Sequence, residues 1–377
     1  MDKKAVKTKK HPQEGLSVPQ LFALGIFSVG GGLLLWAGRV GSKPDTGWLP
    51  ALAIAAVAAA LLTAAVVYSF RRTGCRAVSE LLGELFTSVP ARCILLLLGI
   101  FLTARAAQTL SLYTGMTGRF LLPKTPSLVL AAAAVVTALV LMYDGLRSMA
   151  RTAELLMLMS IIPAAVMLTA FLVRIDTAEL LVLAQPRMGD IAPQLTPALY
   201  TFAGVECVIF FVGHGRGKGS RTVPLAVGAS AIVSAVLFVG AVGILTLGGV
   251  QSSDYPFIET ARMINIGGVN LTERFDILLI LLRVLFIIVQ TAVLLYCASI
   301  SISSFFGREI RRRTAPVLCA VAVVASLLMD KALLDRICTV GLYGTLLGLI
   351  PAVFVLSLFH KKQKNGNEKS KKGRGAG

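Results

Sequence analysis

Phe27-Ser28-Val29-Gly30-Gly31-Gly32-Leu33 interrupts the apolar run from Val18 to Val40, and Phe202-Ala203-Gly204-Val205-Glu206 interrupts the run from Leu195 to Val212. Both interruptions fall near the middle of their runs, at mid-membrane depth, and they stand roughly half a chain apart. A matched pair of glycine-interrupted spans points to an inverted-repeat transporter fold. In such folds, unwound helix centres turn backbone groups toward a solute at the bilayer midplane.

The composition around the two breaks is that of a polytopic helical membrane protein. Of 377 residues, 56% are hydrophobic and 15% charged, and the charges cluster between apolar blocks. The mean hydropathy is +0.79. A membrane-crossing helix needs about 20 apolar residues. About ten such spans fit, near 17–40, 49–70, 91–121, 127–144, 150–173, 195–213, 224–248, 275–305, 314–330 and 337–359. The third and eighth exceed what a bilayer requires, which implies tilt or extension beyond it. Asp144-Gly145 reads as the stop of the fourth span, and Pro163 lies within the fifth, where a kink is tolerated if neighbours satisfy the freed carbonyl. No cleavable signal peptide is expected. The apolar run after the basic N-terminus is too long for a signal core, and no Ala-x-Ala site follows it.

Splitting the chain after the fifth span leaves two five-span halves, about 17–173 and 195–359, each opening with a broken helix. An odd number of spans per half turns the halves into opposite orientations. The expected fold is therefore all-α, with the five-plus-five inverted repeat of the LeuT type. The flanks are a basic tail at 1–16 and a basic, disordered tail at 360–377.

The net charge of +18 raises the question of nucleic acid, but its distribution excludes it. The basic clusters at the N-terminus, Arg71-Arg72-Arg76, Arg216-Lys218-Arg221, Arg308-Arg311-Arg312-Arg313 and Lys361 to Arg374 all fall on one side once the spans are drawn. By the positive-inside rule both termini are then cytoplasmic. The C-terminal tail is either solvated or in touch with anionic lipid headgroups. Six scattered cysteines without CxxC spacing read as buried thiols. His11, His214 and His360 are too far apart for a metal cluster or a catalytic triad. No cofactor and no enzymatic activity are expected.

Three consecutive glycines, each costing about 1 kcal/mol in a helix relative to alanine, suit a break at Gly30, Gly31 and Gly32. Such a break presents the N-terminus of the following half-helix to an anionic group. Close packing through small residues is the alternative. Glu206 is the sharpest single residue, because a carboxylate at mid-membrane faces a cavity or pairs with a base. It could bind a substrate ammonium, carry a proton, or pair with Arg105 of the third span or Arg283 of the eighth. Gln108 and Tyr113 in the third span, and Gln290 and Thr291 in the eighth, either complete a pocket or hydrogen-bond between helices. The loop from Gly213 to Ser220 is glycine-rich but lacks GxxxxGK[ST] spacing and a preceding strand, so it reads as a flexible basic loop. The external segments 174–194 and 249–274 are long enough to hold structure. In the second, Pro256 opens a helix whose apolar face (257, 258, 261, 264) is expected to lie in the membrane interface, with packing on the protein's own rim as the alternative.

Several stretches, in order along the chain, resemble the spore germination permeases. These are Leu16-Ser17-Val18-Pro19-Gln20-Leu21, Leu121-Leu122-Pro123-Lys124-Thr125-Pro126, Ala150-Arg151-Thr152-Ala153-Glu154-Leu155, Tyr255 to Ile266, and Glu273-Arg274-Phe275. These permeases are the B subunits of GerA-type germinant receptors. Phe202 to Glu206 is similar to the sixth-helix pattern of the wider amino acid–polyamine–organocation superfamily. The resemblance runs from about residue 16 to 359. It implies a non-enzymatic protein of the endospore inner membrane. Such a protein senses a small germinant, usually an L-amino acid, together with an A subunit and a lipoprotein C subunit. By that resemblance the ligand contacts would be Gly30, Gly31, Gly32, Phe202, Gly204 and Thr291. Gln108 and Glu206 join them from the residue reading. The chain departs from the family in reading Gly-Gly-Gly where Gly-Thr-Gly is common, and in lacking a proline soon after. The rival expectations are a proton- or cation-coupled amino acid transporter, with Glu206 as the coupling carboxylate, and a conduit for water or ions.

Overall fold

The computed structural model describes residues 15–29, 44–183, 186, 188–215, 222–263, 275–306 and 311–359. Gly30, Gly31, Gly32, both tails and the loop residues beyond Gly215 lie outside them, as does Ile264 of the second external segment.

The first span opens as α1 (Val18–Val29). Ser17 and Gln20 cap it reciprocally: each side chain accepts the other's backbone N–H, at 3.2 and 3.4 Å. Two orphan donors of the first turn are thereby satisfied. α2 (Trp48–Thr73) ends on Gly74, whose φ of 79° lets its N–H reach back to the Phe70 carbonyl. A short α3 (Val78–Leu85) leads into α4 (Ser88–Phe120), which at 33 residues is the long third span expected. α5 (Ser127–Tyr143) stops at Asp144-Gly145, with Gly145 at φ 84°. α6 (Leu146–Arg174) carries Pro163 in its interior.

After α7 (Thr177–Leu183), the sixth span comes as two pieces, α8 (Met188–Thr201) and α9 (Val205–Phe211). α10 (Thr222–Ser252) kinks at Thr246, and α11 (Pro256–Met263) follows. α12 (Phe275–Phe305) and α13 (Arg311–Leu328) come next. The tenth span is α14 (Lys331–Tyr343), a π-helical turn at Gly344–Leu349, and α15 (Ile350–Phe359). Seven described helical spans are long and apolar enough to cross a bilayer, and Val18–Val29, Ser127–Tyr143 and Arg313–Leu328 are shorter apolar helices. Together they fall on the ten spans drawn from hydropathy, the first of which is described only as far as Val29. Bulky apolar side chains cover the outer faces (Leu61, Ile162 and Leu172 are 65%, 73% and 76% exposed), as a lipid-facing surface requires.

Two expectations change. The sixth and tenth spans start earlier than hydropathy suggested, at Met188 and Lys331 rather than 195 and 337. α11 does not offer its apolar face to an interface. Phe257, Ile258 and Ala261 are buried against α10 and α12, so this helix packs on the protein's own rim. The same apolar stripe suits either surface, and here the neighbouring helices cover it.

Candidate functional site

The sixth-span break is explicit in the backbone. α8 ends at Thr201, and a turn of Phe202 to Gly204 is closed by bonds from Phe202 N–H to Leu199 C=O, and from Ala203 N–H to Tyr200 C=O, both 3.0 Å. α9 restarts at Val205. Gly204 sits at φ 124°, ψ −15°, and a Cβ there would lie 1.7 Å from the Ser28 carbonyl oxygen. The end of α1 therefore lies directly on the break, two residues before Gly30. Ser28 itself is buried, its hydroxyl donating to the Gly25 carbonyl at 3.1 Å.

Glu206 caps this turn. Its Oε2 accepts the Gly204 N–H at 2.6 Å, and its Oε1 lies 3.6 Å from Arg105 Nε, with both side chains sealed from solvent. Of the partners read from sequence, Arg105 is thus the one that meets Glu206. Arg283 instead lies over the Phe257 ring, 5.3 Å from its centroid. Arg105 Nη1 donates to Gln108 Oε1 (2.7 Å) and Tyr200 Oη (2.9 Å), and the Tyr200 hydroxyl donates to the same Gln108 oxygen at 2.7 Å. Gln108 Nε2 donates to Asp335 Oδ1 at 2.5 Å. The network joins α4, α8, α9 and α14, and it fixes the break relative to the helices around it. Among the described residues, Glu206 Oε1 and Arg105 Nε and Nη2 have no hydrogen-bond partner.

Sequence reading brought Gln108, Gly204 and Glu206 to this place, but it missed Tyr200 and Asp335. Tyr200 is an aromatic with a polar tip one turn ahead of the break, a residue type that seeks a partner when buried. Asp335 falls between the ninth and tenth spans drawn from hydropathy, 314–330 and 337–359. Phe202 is fully buried in the turn. Thr291 is fully buried on α12, which packs on α9, and its hydroxyl donates to the Ile287 carbonyl of its own helix at 2.8 Å. Its neighbour Gln290 differs: 2% exposed, it has neither amide atom in a hydrogen bond among the described residues. It lines a cavity together with Phe27 of α1, which stacks on Phe286 of α12 at 3.9 Å. All six cysteines are free thiols, Cys93 exposed and the others buried.

A helix broken at its centre and packed against the end of the first helix, within paired five-span halves, defines a membrane protein of permease or transporter-like build. Solved structures agree. The chain superposes on Mhp1, a nucleobase-cation-symport-1 family transporter in a closed conformation with bromovinylhydantoin bound, with a TM-score of 0.60 at 15% identity. The match covers 90% of this chain and 78% of that one. The family model described as "Spore germination protein" matches residues 16–333, and the chain belongs to this spore permease family. It is also 24% identical over 201 residues to the spore germination protein GerLB of Bacillus cereus, an alignment spanning 49% of this chain and 51% of that relative. The match thus spans about half the length of the curated relative.

Proposed function

We propose that this chain is the membrane-embedded germinant-sensing subunit of a spore germination receptor, and that a small nutrient, an L-amino acid by class, binds where its two broken helices meet. The single observation that carries the reading is the seating of Gly204 on Ser28, which brings the sixth-span break against the end of α1, two residues before Gly30 in sequence. The backbone of Gly30, Gly31 and Gly32 would receive the carboxylate at the start of a half-helix. Phe202 would contact the side chain. Gln108, Glu206 and Thr291 would frame the pocket, with the Gln290 amide, which makes no hydrogen bond among the described residues, supplying directional hydrogen bonds from α12. Binding biases an equilibrium between two packings of the halves, which A and C partner subunits would read out. The matching family and the relative's name support the germination context. We place the protein in the endospore inner membrane with both termini cytoplasmic, on the positive-inside argument. Residues 17–359 form one transmembrane domain between two basic tails.

Germination of spores deleted for this gene, tested on a panel of single amino acids and sugars, examines the role. The expected result is loss of response to one germinant class, restored by the wild-type gene. A second reading, a proton-coupled amino acid transporter, draws on Glu206 Oε1, a buried carboxylate oxygen 3.6 Å from Arg105 Nε that accepts no hydrogen bond among the described residues. Gradient-driven amino acid uptake by vesicles holding this chain alone would support the transporter. A null response there, together with a germination defect on deletion, supports the sensor.

A further inference from the structure

The cavity that Gln290 shares with Phe27 has a volume of about 530 Å³ and lies between α1, α6, α10, α11 and α12. That is within the range of roughly 300–1,000 Å³ usual for small-molecule sites. It is a groove open to the side, because Ile161 of α6 and Ile232 of α10 in its wall are 57% and 67% exposed on the surface that meets lipid. The lining is apolar except for Ser160, Ser230, Gln290 and Arg283. Ser160 is spoken for, its hydroxyl donating to the Met157 carbonyl at 2.7 Å. Arg283 is the feature that needs an account. It stands within the apolar α12, stacked over Phe257 of α11, and has no acidic partner among the described residues. Gln290 follows it by seven residues, so Arg283 lies about 10 Å nearer the α11 end of the groove. α11 belongs to the connection between two spans, and that end of the groove is therefore the one at the membrane rim.

We infer that this groove holds an anionic phospholipid, with an acyl chain along α6 and α10 and the phosphate on Arg283. The apolar outer wall, open to the bilayer, suits a hydrocarbon chain. A cation inside a span is stable when it meets an anion, and a basic side chain near the membrane surface attracts an anionic headgroup. The Phe257 ring fixes the guanidinium from below without neutralising it. The inference stands independently of the sensor reading, since the lipid would occupy the outer part of the groove and not the helix breaks.

The test uses the full chain reconstituted in phosphatidylcholine vesicles doped with a phosphatidylglycerol bearing a photoactivatable acyl chain. Labelling is expected on the α6 and α10 peptides that face the groove. Arg283→Gln should reduce it roughly fivefold, the contribution of one basic side chain to headgroup attraction, and Arg283→Lys should retain most of it. Val233→Trp, which fills the groove and keeps the cation, should also abolish it. Arg119→Gln, which removes an exposed cation paired with Asp254 at the surface, should leave it unchanged. Equal labelling of all lipid-facing helices, indifference to Arg283, or competition by soluble inorganic phosphate would each overturn the inference.

Discussion

Gly204 combines a backbone angle of 124° with a carbonyl oxygen 1.7 Å from where a side chain would begin. Gly204→Ala is therefore expected to open the contact between α1 and α9. The strain alone is about 1–3 kcal/mol, with the clash in addition. Thermal unfolding in detergent should show a lowered midpoint, and the germination response should be lost; an unchanged midpoint would contradict the geometry. Glu206 and Arg105 make a second residue-scale prediction. Removing one partner, as in Arg105→Met, leaves a buried charge without its counterpart, which costs about 3–5 kcal/mol. The double change Arg105→Met with Glu206→Leu should then cost clearly less than the sum of the single changes, and a double-mutant cycle of unfolding free energies measures the difference. Both charged residues were legible in the sequence as anomalies inside apolar spans, and so was Arg283. The choice between the two arginines was not, because it depends on which faces of α4 and α12 turn toward α9. Hydropathy is blind to that.

The most intimate helix pair is α4 with α12, and Gly99 allows it: a Cβ there would sit 2.6 Å from the Ile302 side chain and 3.3 Å from Ser301 Cβ. Close approach through small residues is how transmembrane helices gain packing without a hydrophobic drive. Gly99→Leu should push the pair apart at a cost of about 1–3 kcal/mol, the usual penalty of overpacking. The check is a lowered unfolding temperature, while Gly83→Ala, at a helical position with open space around it, does not lower the temperature. At this scale most of the architecture could be read directly, since apolar runs of span length and the stop at Asp144-Gly145 are local signals. The early starts of α8 and α14 could not. Asp190, Asp335 and Arg336 lower the local hydropathy, yet the backbone bonds of a helix are satisfied within it whatever the side chains. The acids then find distant partners: Thr46 Oγ1 donates to Asp190 Oδ2 at 3.1 Å, and Gln108 to Asp335. The surface that α11 meets is not legible locally either. Its stripe was visible, but the helices that cover it are supplied by the tertiary fold.

Across the described residues, the break of the sixth span sits on the end of α1, and the polar network from α4, α8, α9 and α14 holds that junction. Odd spans per half and two glycine-marked interruptions were enough to infer the LeuT-type fold; the first interruption, Gly30 to Gly32, lies outside the described residues. The polar network around Glu206 emerged only when α4, α8, α9 and α14 were seen in contact. The central claim is that a small solute binds at this junction and that the protein answers it. The most direct measurement is the germinant dose–response of spores whose sole copy of this gene carries Gly31→Leu, with the amount of protein in the membrane determined alongside. The account predicts a normal amount of protein and no response to the germinant class that deletion abolishes. A wild-type dose–response from the Gly31→Leu spores would contradict it.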